Sequence, residues 1–428
     1  MHPPADREEI SRRAAARVAG IAAATSGQLD DVARVLQVEL AESIPELRGD
    51  RLMLDLLHAS VESNVKTFFH VARYGLPVDT VEAPWPAVEY ARRLAQREIS
   101  SNALLRAYRL GHRRALEWVA GELARVEPDG LVSFAALQML QESAFAYIDR
   151  VSEQVVAEYE TERERWLAHR NTIRTATLSA LLAGDEVDVS TAEQVLGYRL
   201  RQEHLGLVLW ADERMASARP LGRLGQLTHA MAQEMGAESP PLFVPQDRSL
   251  GWGWVPLRAG ARVDLDRLAR CLGEAGPEVR AAIGAVKTGP EGFRATHRQA
   301  LQAHQVAVVG ADRARRITSY TAPGVRAAAI LAGDLTTARE LVTSMLGGLA
   351  RDDEGTERLR ETLAVFLQEN QSFVATAAKV HLHKNTVKYR VDKAVRLRGR
   401  PIDEDRFDLE LALAACRWLG PAVLPPSP

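Results

Sequence analysis

Cysteine is scarce in this sequence, which has only Cys271 and Cys416 among its 428 residues. The two lie far apart and lack the spacing of metal ligands, so neither a disulfide framework nor a structural zinc site is expected. The simplest interpretation is two buried or idle thiols in a reducing compartment. We therefore expect a cytoplasmic protein.

Long apolar runs are also missing, since no stretch approaches the ~20 consecutive apolar residues of a transmembrane helix. The N-terminus carries Asp6, Glu8 and Glu9 among its arginines and lacks the apolar region of a signal peptide. Aromatic residues make up only 6% of the chain, while Ala, Leu, Arg and Glu dominate. We therefore expect a largely helical protein with no membrane contact.

An excess of one charge is absent as well, because the formal net charge is only −2. The overall balance therefore does not indicate a nucleic-acid partner, but the distribution of charge does. Between Lys379 and Arg400, eight basic residues accompany a single acid, Asp392, which gives +7 over 22 residues. The basic residues of this segment are Lys379, Lys384, Lys388, Arg390, Lys393, Arg396, Arg398 and Arg400.

Changes in periodicity and the positions of helix breakers divide the chain into parts. Helical patterns fill the N-terminal region, with a proline-rich connection from Tyr74 to Pro86. From Glu153 to Leu182 the chain is charged and nearly free of breakers, which suits a connecting helix or a dimer seam. The predicted parts are a helical sensor domain (1–160), a connecting helix (161–185), an α+β domain (186–320), a helical linker (321–355), a DNA-binding domain (356–420) and a disordered tail (421–428).

The α+β part is predicted from alternating strand and helix signals. Strands are expected at Leu205–Trp210 and Val279–Val286, and a hairpin surrounds the turn Gln246–Ser249. Helices are expected at about Leu221–Met235, Val263–Leu272 and Phe293–His304, with Gly289–Gly292 as a tight connection before the last. This order predicts helices packed on a mostly antiparallel sheet. Arg326–Leu349 is predicted to return to helix.

Three helices are predicted to form a helix-turn-helix near the C-terminus. The first spans about Thr356–Glu369, and Ser372 caps the second, Phe373–Val380. The turn is His381–Leu382, and the third helix begins near His383. The predicted inward residues are Leu359, Leu363, Phe366 and Leu367 on the first helix, Val374, Ala377 and Ala378 on the second, and Val387, Val391, Ala394 and Val395 on the third.

The same helical period turns a polar face of the third helix outward, including Asp392. The N-terminal end of such a helix enters the major groove, so Lys384, Asn385, Thr386 and Lys388 are the candidate contacts to bases. Arg390, Lys393, Arg396 and Arg398 are candidate phosphate contacts. With Tyr389, which also faces outward, the predicted DNA-binding set is Lys384, Asn385, Thr386, Lys388, Tyr389, Arg390, Lys393 and Arg396.

Two other interpretations of this segment are less favoured. A basic helix face is often simply solvated, but here the charge coincides with an apolar register, a small-residue helix and a short turn. His381 and His383 could suggest a metal pair, yet residues at i and i+2 do not share a helix face. No metal site is therefore expected.

The stretch from Arg358 to Gly399, and above all HKNTVKYRV from His383 to Val391, resembles the Fis-type helix-turn-helix of the PucR/CdaR family of bacterial regulators. Residues 187–320, with GPEGF from Gly289 to Phe293 and His297, look like the GGDEF-like domain of these regulators. The segment LLRAYRLGHRRALEW from Leu104 to Trp118 resembles the RsbR-type N-terminal domain, which is similar to a globin without haem. The resemblance implies three domains: an all-α globin-like bundle, an α+β GGDEF-like domain and an all-α helix-turn-helix.

Two departures from working cofactor sites bear on function. A diguanylate cyclase needs acids in its Gly-Gly-acid-Glu-Phe hairpin to hold metal on the triphosphate, but Leu250–Trp254 reads LGWGW. Cyclase activity and catalytic residues are therefore not expected. His58, His70 and His112 are candidate haem ligands by residue type alone. They are not favoured, because a lone helical histidine is more often hydrogen-bonded or exposed. No cofactor is expected.

The leading hypothesis is a homodimeric or higher-order transcription regulator that binds double-stranded DNA, with a small-molecule effector or a partner acting on the N-terminal and middle domains. The alternative is a protein-interaction switch that binds anti-sigma-type partners. The third hypothesis, a nucleotide-signalling enzyme, is disfavoured by the missing hairpin acids.

Overall fold

The computed structural model describes residues 4–25, 27–211, 220–311 and 315–425. The chain divides into two compact units, Met1–Ile173 and Arg174–Pro428. The predicted multidomain layout, with helical ends and a small sheet in the middle region, is confirmed. None of the described helices combines the length and apolar character needed to cross a bilayer.

The first unit is built from helices alone. Asp50 caps the third of them by accepting from the Met53 amide, and Gly75 ends it in the left-handed conformation. The proline-rich connection lies where it was predicted, between this helix and the next. The helices are α1 (Pro4–Thr25), α2 (Leu29–Ser43), α3 (Arg51–Tyr74), α4 (Trp85–Gln96), α5 (Ser101–Val126) and α6 (Gly130–Ala183).

The helix α6 is longer than its sequence pattern suggested. The sequence pattern separates the helical N-terminal region from the charged segment Glu153–Leu182, but the structure joins them into one helix of 54 residues. Its N-terminal part carries the buried residues Val132, Tyr147 and Val155 of the first unit. The chain lacks a glycine or proline between these segments, so nothing interrupts the helical hydrogen bonds.

The second unit contains a six-stranded sheet in the order β2-β3-β1-β4-β6, with β5 paired to β1. The pairing is antiparallel except between β4 and β6, so the predicted mostly antiparallel sheet is observed. The strands are β1 (Glu203–Ala211), β2 (Leu242–Pro245), β3 (Leu250–Leu257), β4 (Val279–Ile283), β5 (Lys287–Thr288) and β6 (Ile317–Ser319).

Helices cover both faces of this sheet. Leu205, Leu207 and Leu209 of β1 share one core with α8 and α9, whereas Val208 points to the opposite face and shares a core with the C-terminal helices. The helices of this unit are α7 (Val189–Leu196), α8 (Pro220–Glu234), α9 (Leu265–Ala275), α10 (Gly289–Gly310), α11 (Val325–Leu331), α12 (Leu335–Leu346), α13 (Glu354–Gln368), α14 (Phe373–Lys379), α15 (Lys384–Arg398) and α16 (Arg406–Leu419).

Several details differ from the sequence predictions. Gly289–Gly292 is the first turn of α10 rather than a connection. The helix predicted over Arg326–Leu349 is broken between α11 and α12, where Asp334 caps α12 by accepting from the Thr336 and Thr337 amides. The strand predicted to reach Val286 ends at Ile283. The short strands β5 and β6 were not predicted, because two or three residues carry too little periodicity.

The C-terminal tail was predicted to be disordered from residue 421, and this prediction is wrong for its first part. A 3₁₀ turn spans Gly420–Ala422. Val423 and Leu424 are buried in the core that contains α16. The two apolar side chains pack against residues that are distant in the sequence, which the local sequence does not indicate. Residues 426–428 of the predicted tail lie outside the described residues.

Candidate nucleic-acid interface

The helices α13, α14 and α15 each begin at a side-chain cap. The carboxylate of Asp353 accepts from the Thr356 amide at 2.9 Å, and the Ser372 hydroxyl accepts from the Ala375 amide at 3.3 Å. At the start of α15, Nδ1 of His383 accepts from the Asn385 amide at 3.2 Å. These local hydrogen bonds fix where each helix starts, and the predicted cap at Ser372 is observed.

The inner face of α15 matches the predicted register. Val387, Val391 and Ala394 are buried and Val395 is half-buried against the same core. On α13, the four predicted inward residues are buried as well. The apolar period of both helices was therefore sufficient to identify the faces that pack.

The predicted inner face of α14 is wrong at two of its three residues, because only Ala377 packs against the core. Val374 is 64% exposed and Ala378 is exposed, while Thr376 is buried. Thr376 satisfies its hydroxyl by donating to the Ser372 carbonyl at 2.7 Å, which removes the cost of burying a polar side chain. The ring of Phe373 packs 4.6 Å from that of Phe366. In a seven-residue helix these two contacts decide which face packs inward. The positions of small apolar residues in the sequence do not indicate that face.

The turn between α14 and α15 is tight. His381 adopts a left-handed backbone, with φ of +54°, and Leu382 is half-buried between the helices as predicted. His381 is exposed, whereas a ring nitrogen of His383 is already used as the helix cap. Among the described residues, no group of three or more His, Cys, Asp and Glu side chains could hold a metal ion.

The outer side of α15 presents most of the predicted DNA-binding residues to solvent. Thr386 and Arg390 are half-buried at one flank of the helix, and Nη1 of Arg390 lies 3.3 Å from the Thr362 hydroxyl of α13, to which it donates. The exposed members of the set are Lys384, Asn385, Lys388, Tyr389, Lys393 and Arg396. The geometry can therefore offer amide and cationic groups along one helix face, and their roles toward DNA stay a prediction.

Three basic residues of the charged segment have structural partners instead. The Arg398 side chain is 0% exposed, forms an ion pair with Asp405 and donates to the carbonyls of Met345 and Pro401. Arg400 pairs with Asp405 at 3.0 Å, and Lys379 pairs with Glu369. The assignment of Arg398 to a phosphate contact is therefore wrong. Arg398 lies four residues after Ala394, so the helical period places it on the buried side of α15. A count of charges does not show this.

Aromatic side chains pack at the hairpin β2–β3. The Trp254 ring is stacked 4.4 Å from Phe293, and its Nε1 donates to the Phe293 carbonyl at 3.1 Å. Asp247 lies in the turn, where its carboxylate accepts from the Ser249 and Leu250 amides at 2.7 Å. These hydrogen bonds hold the pKa of Asp247 below its usual value. Asp247, the acid nearest to these strands, therefore stabilises the turn.

The three histidines considered as haem ligands occupy different environments. His58 lies 4.0 Å from Glu62, the exposed His70 packs its ring 4.8 Å from Tyr74, and His112 lines a partly open cavity. That cavity has a volume of about 100 Å³, below the ~150 Å³ in which another protein holds a single benzene. A porphyrin is far larger than either space.

Family models match three consecutive regions of the chain. Residues 29–174 match the RsbT co-antagonist protein rsbRD N-terminal domain, residues 182–306 match the GGDEF-like domain, and residues 359–415 match the PucR C-terminal helix-turn-helix domain. The chain therefore carries these three domains in this order. The predicted resemblance to PucR-type regulators is confirmed.

Curated relatives match over short segments. The purine catabolism regulatory protein of Bacillus subtilis is 30% identical over 76 residues, which cover 18% of this chain and 14% of that protein. An uncharacterised protein, YxkF of the same organism, is 36% identical over 66 residues, covering 15% and 22%. An uncharacterised protein from the pkwA 5′ region of Thermomonospora curvata is 31% identical over 81 residues, covering 19% and 45%. The chain thus spans less than half the length of each of these relatives.

Among solved structures, a regulator of polyketide synthase expression from Bifidobacterium adolescentis is 20% identical. The match covers 58% of this chain and 93% of that one, with a TM-score of 0.31. At this score no conclusion about fold or function rests on the likeness.

Proposed function

We propose that this chain is a sequence-specific DNA-binding transcription regulator and that α15 is its recognition helix. The observation that carries the proposal is the exposed face of α15, which offers Asn385 beside basic side chains within a PucR-type helix-turn-helix. A helix presented in this way fits the major groove. The proposal includes a cytoplasmic location, because a DNA-binding regulator needs access to DNA.

Within this proposal the two ends of α15 have different tasks. The side chains of Lys384, Asn385, Thr386 and Lys388 lie at the N-terminal end and contact base edges, because asparagine pairs with adenine and lysine with guanine. Arg390, Lys393 and Arg396 hold phosphates and Tyr389 supports them, which gives affinity without sequence information. Salt dependence and sequence preference therefore report on different residues.

The proposal includes a homodimer or higher oligomer. One recognition helix reads only a few base pairs, and two copies bound to paired half-sites multiply the specificity. It also includes control by a ligand or partner that acts on the N-terminal and middle domains. The names of the matching domains and of the purine catabolism regulator support this arrangement.

The decisive measurement is binding to the chain's own promoter region across a range of salt concentrations. The double variant Lys384→Ala/Lys388→Ala should bind at least tenfold more weakly and discriminate less between operator and unrelated DNA. The control variant Lys287→Ala/Arg298→Ala removes the same charge at exposed positions of β5 and α10 and should bind as the parent chain does. Equal affinity and salt slope in both double variants would contradict the recognition helix.

A second candidate function comes from the name of the N-terminal family, which identifies its members as RsbT co-antagonists. The N-terminal domain would then bind a protein partner, and α15 would be dispensable. A pull-down with the Lys384→Ala/Lys388→Ala variant separates the candidates. A stoichiometric partner that is retained by this variant, in a chain without operator binding, would favour the interaction switch.

The GGDEF-like domain acts in this proposal as a relay or dimerisation module and not as a cyclase. The sequence of β3 supports this, because Trp252 and Gly253 stand at the two positions of the matching hairpin where acids are required. Incubation with GTP and magnesium should leave GTP unchanged. Formation of a cyclic dinucleotide would contradict the proposal.

A further inference from the structure

The second unit contains a partly open cavity beside the helix-turn-helix. It lies among α13, α15, α16 and the turn that joins α14 to α15, and its volume is about 590 Å³. Proteins hold small organic ligands in cavities of roughly 300–1,000 Å³. The space is therefore large enough for such a molecule.

Positive charge dominates the described part of the cavity wall. Four arginines and two glutamates give it a formal excess of two positive charges. These residues are Arg315, Arg360, Arg390, Arg417, Glu357 and Glu361. Within the described part of the chain, no carboxylate forms an ion pair with any of the four guanidinium groups. Since an arginine keeps its charge in a protein, the wall presents cations that no described carboxylate neutralises by direct contact.

The burial of Arg360 makes this imbalance informative. The residue is only 4% exposed, and its Nη1 donates to the carbonyl oxygens of Leu349 and Arg351, both at 2.7 Å. These two partners are neutral. Arginine is almost never fully buried without a counter-charge, because an uncompensated charge destabilises the folded state. An anion in the cavity would supply the missing counter-charge.

Two further arginines of the wall are held against one aromatic ring. The guanidinium carbons of Arg315 and Arg417 each lie 5.7 Å from the centre of the Trp418 ring, an arrangement that favours the cations. The ring is anchored in turn, since its Nε1 donates to the Pro323 carbonyl at 3.0 Å. Both arginines are exposed, so an entering anion can reach them. Their planar guanidinium groups match the oxygens of carboxylates and phosphates.

We propose that this cavity binds a small organic anion, with a carboxylate or phosphate group on an apolar body. The arginines set the charge of the ligand. Val365, Leu382 and Leu413 also line the cavity, so carbon atoms next to the charged group can be buried against them. A cation would meet a wall of the same sign, and a neutral molecule would leave the charge of Arg360 uncompensated.

Occupation of the cavity would reach the recognition helix, a step that rests on the proposed function. Arg390 of α15 lines the cavity and is assigned to a DNA phosphate. An anion bound beside Arg390 competes with DNA for the same guanidinium group and therefore lowers operator affinity. Binding of the anion itself does not rest on the proposed function, because it is measured without DNA.

The test uses phenyl phosphate as the probe and phenol as its neutral counterpart, by calorimetry on the full chain without DNA. One phenyl phosphate should bind per chain, at least tenfold more tightly than phenol, because phenol lacks the charged group. Arg315→Gln/Arg417→Gln removes two charges at exposed positions of the wall and should weaken phenyl phosphate at least tenfold. The matched control is Arg262→Gln/Arg270→Gln, at exposed positions of the same unit outside the wall, which should bind as the parent chain does.

A second control separates the cavity from the outer side of α15. Lys384→Ala/Lys388→Ala should leave the affinity for phenyl phosphate within twofold. A loss of binding in this variant, without a loss in Arg315→Gln/Arg417→Gln, would overturn the cavity site. The unfolding temperature without probe shows whether each variant folds. If the double arginine variant does not fold, Arg315→Gln alone decides the question, with an expected loss of at least threefold.

The outcomes separate the site from the function. No binding of phenyl phosphate, or equal affinity in Arg315→Gln/Arg417→Gln and the parent chain, overturns the site. Loss of operator affinity in that variant, in a chain that does not bind phenyl phosphate, would assign these arginines to DNA and also overturn it. If phenyl phosphate binds as described but the chain does not bind its promoter, the proposed function fails and the site stands. If saturating phenyl phosphate lowers operator affinity at least threefold in the parent chain and not in the variant, both are supported.

Discussion

At the scale of single residues, neighbouring arginines of α15 have opposite environments. Arg396 is exposed, whereas Arg398 is enclosed and bound to Asp405 and to two backbone carbonyls. Residues two positions apart are separated by about 200° of rotation around the helix axis. Arg396 and Arg398 therefore lie on opposite faces of α15. A charge count over this segment cannot make that distinction.

We expect Arg398→Ala to destabilise the second unit by about 3 kcal/mol, because it leaves two carbonyls without their donor in a buried place and leaves Asp405 paired with Arg400 alone. Arg396→Ala should change stability by less than about 0.5 kcal/mol. Denaturant unfolding measures both. The reverse ranking would show that Arg398 is not a structural residue.

The same pair distinguishes the roles of the residues on DNA. Arg396→Ala should lower the slope of log affinity against log salt by about 1, because one phosphate contact is lost. Sequence preference should stay unchanged. A loss of preference without a change in slope would instead make Arg396 a base contact.

A buried histidine beside the aromatic hairpin gives a pH dependence. His297 packs its ring 4.4 Å from Trp252 and 4.9 Å from Trp254, and burial lowers its pKa from 6.5 to about 4. The unfolded chain therefore binds a proton at this histidine more readily than the folded chain does. The stability that neutral His297 contributes to the folded state is present above pH 6.5 and is lost as the pH falls toward 4.

Between pH 7 and pH 4, His297 should cost the folded state about 3 kcal/mol. His297→Leu removes that contribution, so the parent chain should lose about 3 kcal/mol more than the variant over this range. Unfolding at both pH values measures the difference, in which titrations common to the two chains cancel. Identical losses would mean that His297 is not buried in a neutral form.

At the scale of elements, α10 approaches β1 closely. The Gly206 amide donates to the Thr296 hydroxyl at 2.8 Å, and a Cβ on Gly206 would lie 2.8 Å from the carbonyl carbon of Thr296. The opposite helix backbone cannot move away without disturbing the sheet. Glycine is required here for close contact and not for an unusual backbone angle.

Gly206→Ala should therefore destabilise the second unit by about 2 kcal/mol or more through overpacking. Gly222→Ala is the control, since its Cβ would meet no atom within 4 Å in α8, and alanine favours helix by up to about 1 kcal/mol. Chemical denaturation compares the two. A tolerated Gly206→Ala would show that α10 can shift.

At the scale of the whole molecule, the chain has two units whose buried cores share no residue. The C-terminal helices do not stand apart within the second unit. The core of α13, α15 and α16 also includes Val208 of β1 and Ala300 of α10. The GGDEF-like domain and the helix-turn-helix thus share one packed core.

We expect two calorimetric transitions on heating. Leu94→Ala, in the core of the first unit, and Leu346→Ala, in the core of the second unit that contains α16, should each lower the free energy of unfolding of its own unit by about 2–5 kcal/mol. Each variant should lower the temperature of a different transition. Both leucines are fully buried, which makes the pair a matched comparison. A single transition that both variants lower equally would show that the chain unfolds as one unit.

The sequence by itself determined the cap at Ser372 and the inward faces of α13 and α15, because these depend on contacts within a few residues. It also identified which members of the predicted DNA-binding set lie on the outer side of α15, and the acid-free hairpin. Domain boundaries and the roles of the site residues stay predictions.

Only the tertiary structure decided which basic residues are available and which face of the short α14 packs. It also packed Val423 and Leu424 into the core that contains α16. Each of these outcomes depends on partners far away in the chain. Local periodicity does not encode such partners, because burial and electrostatic pairing are properties of the packed core.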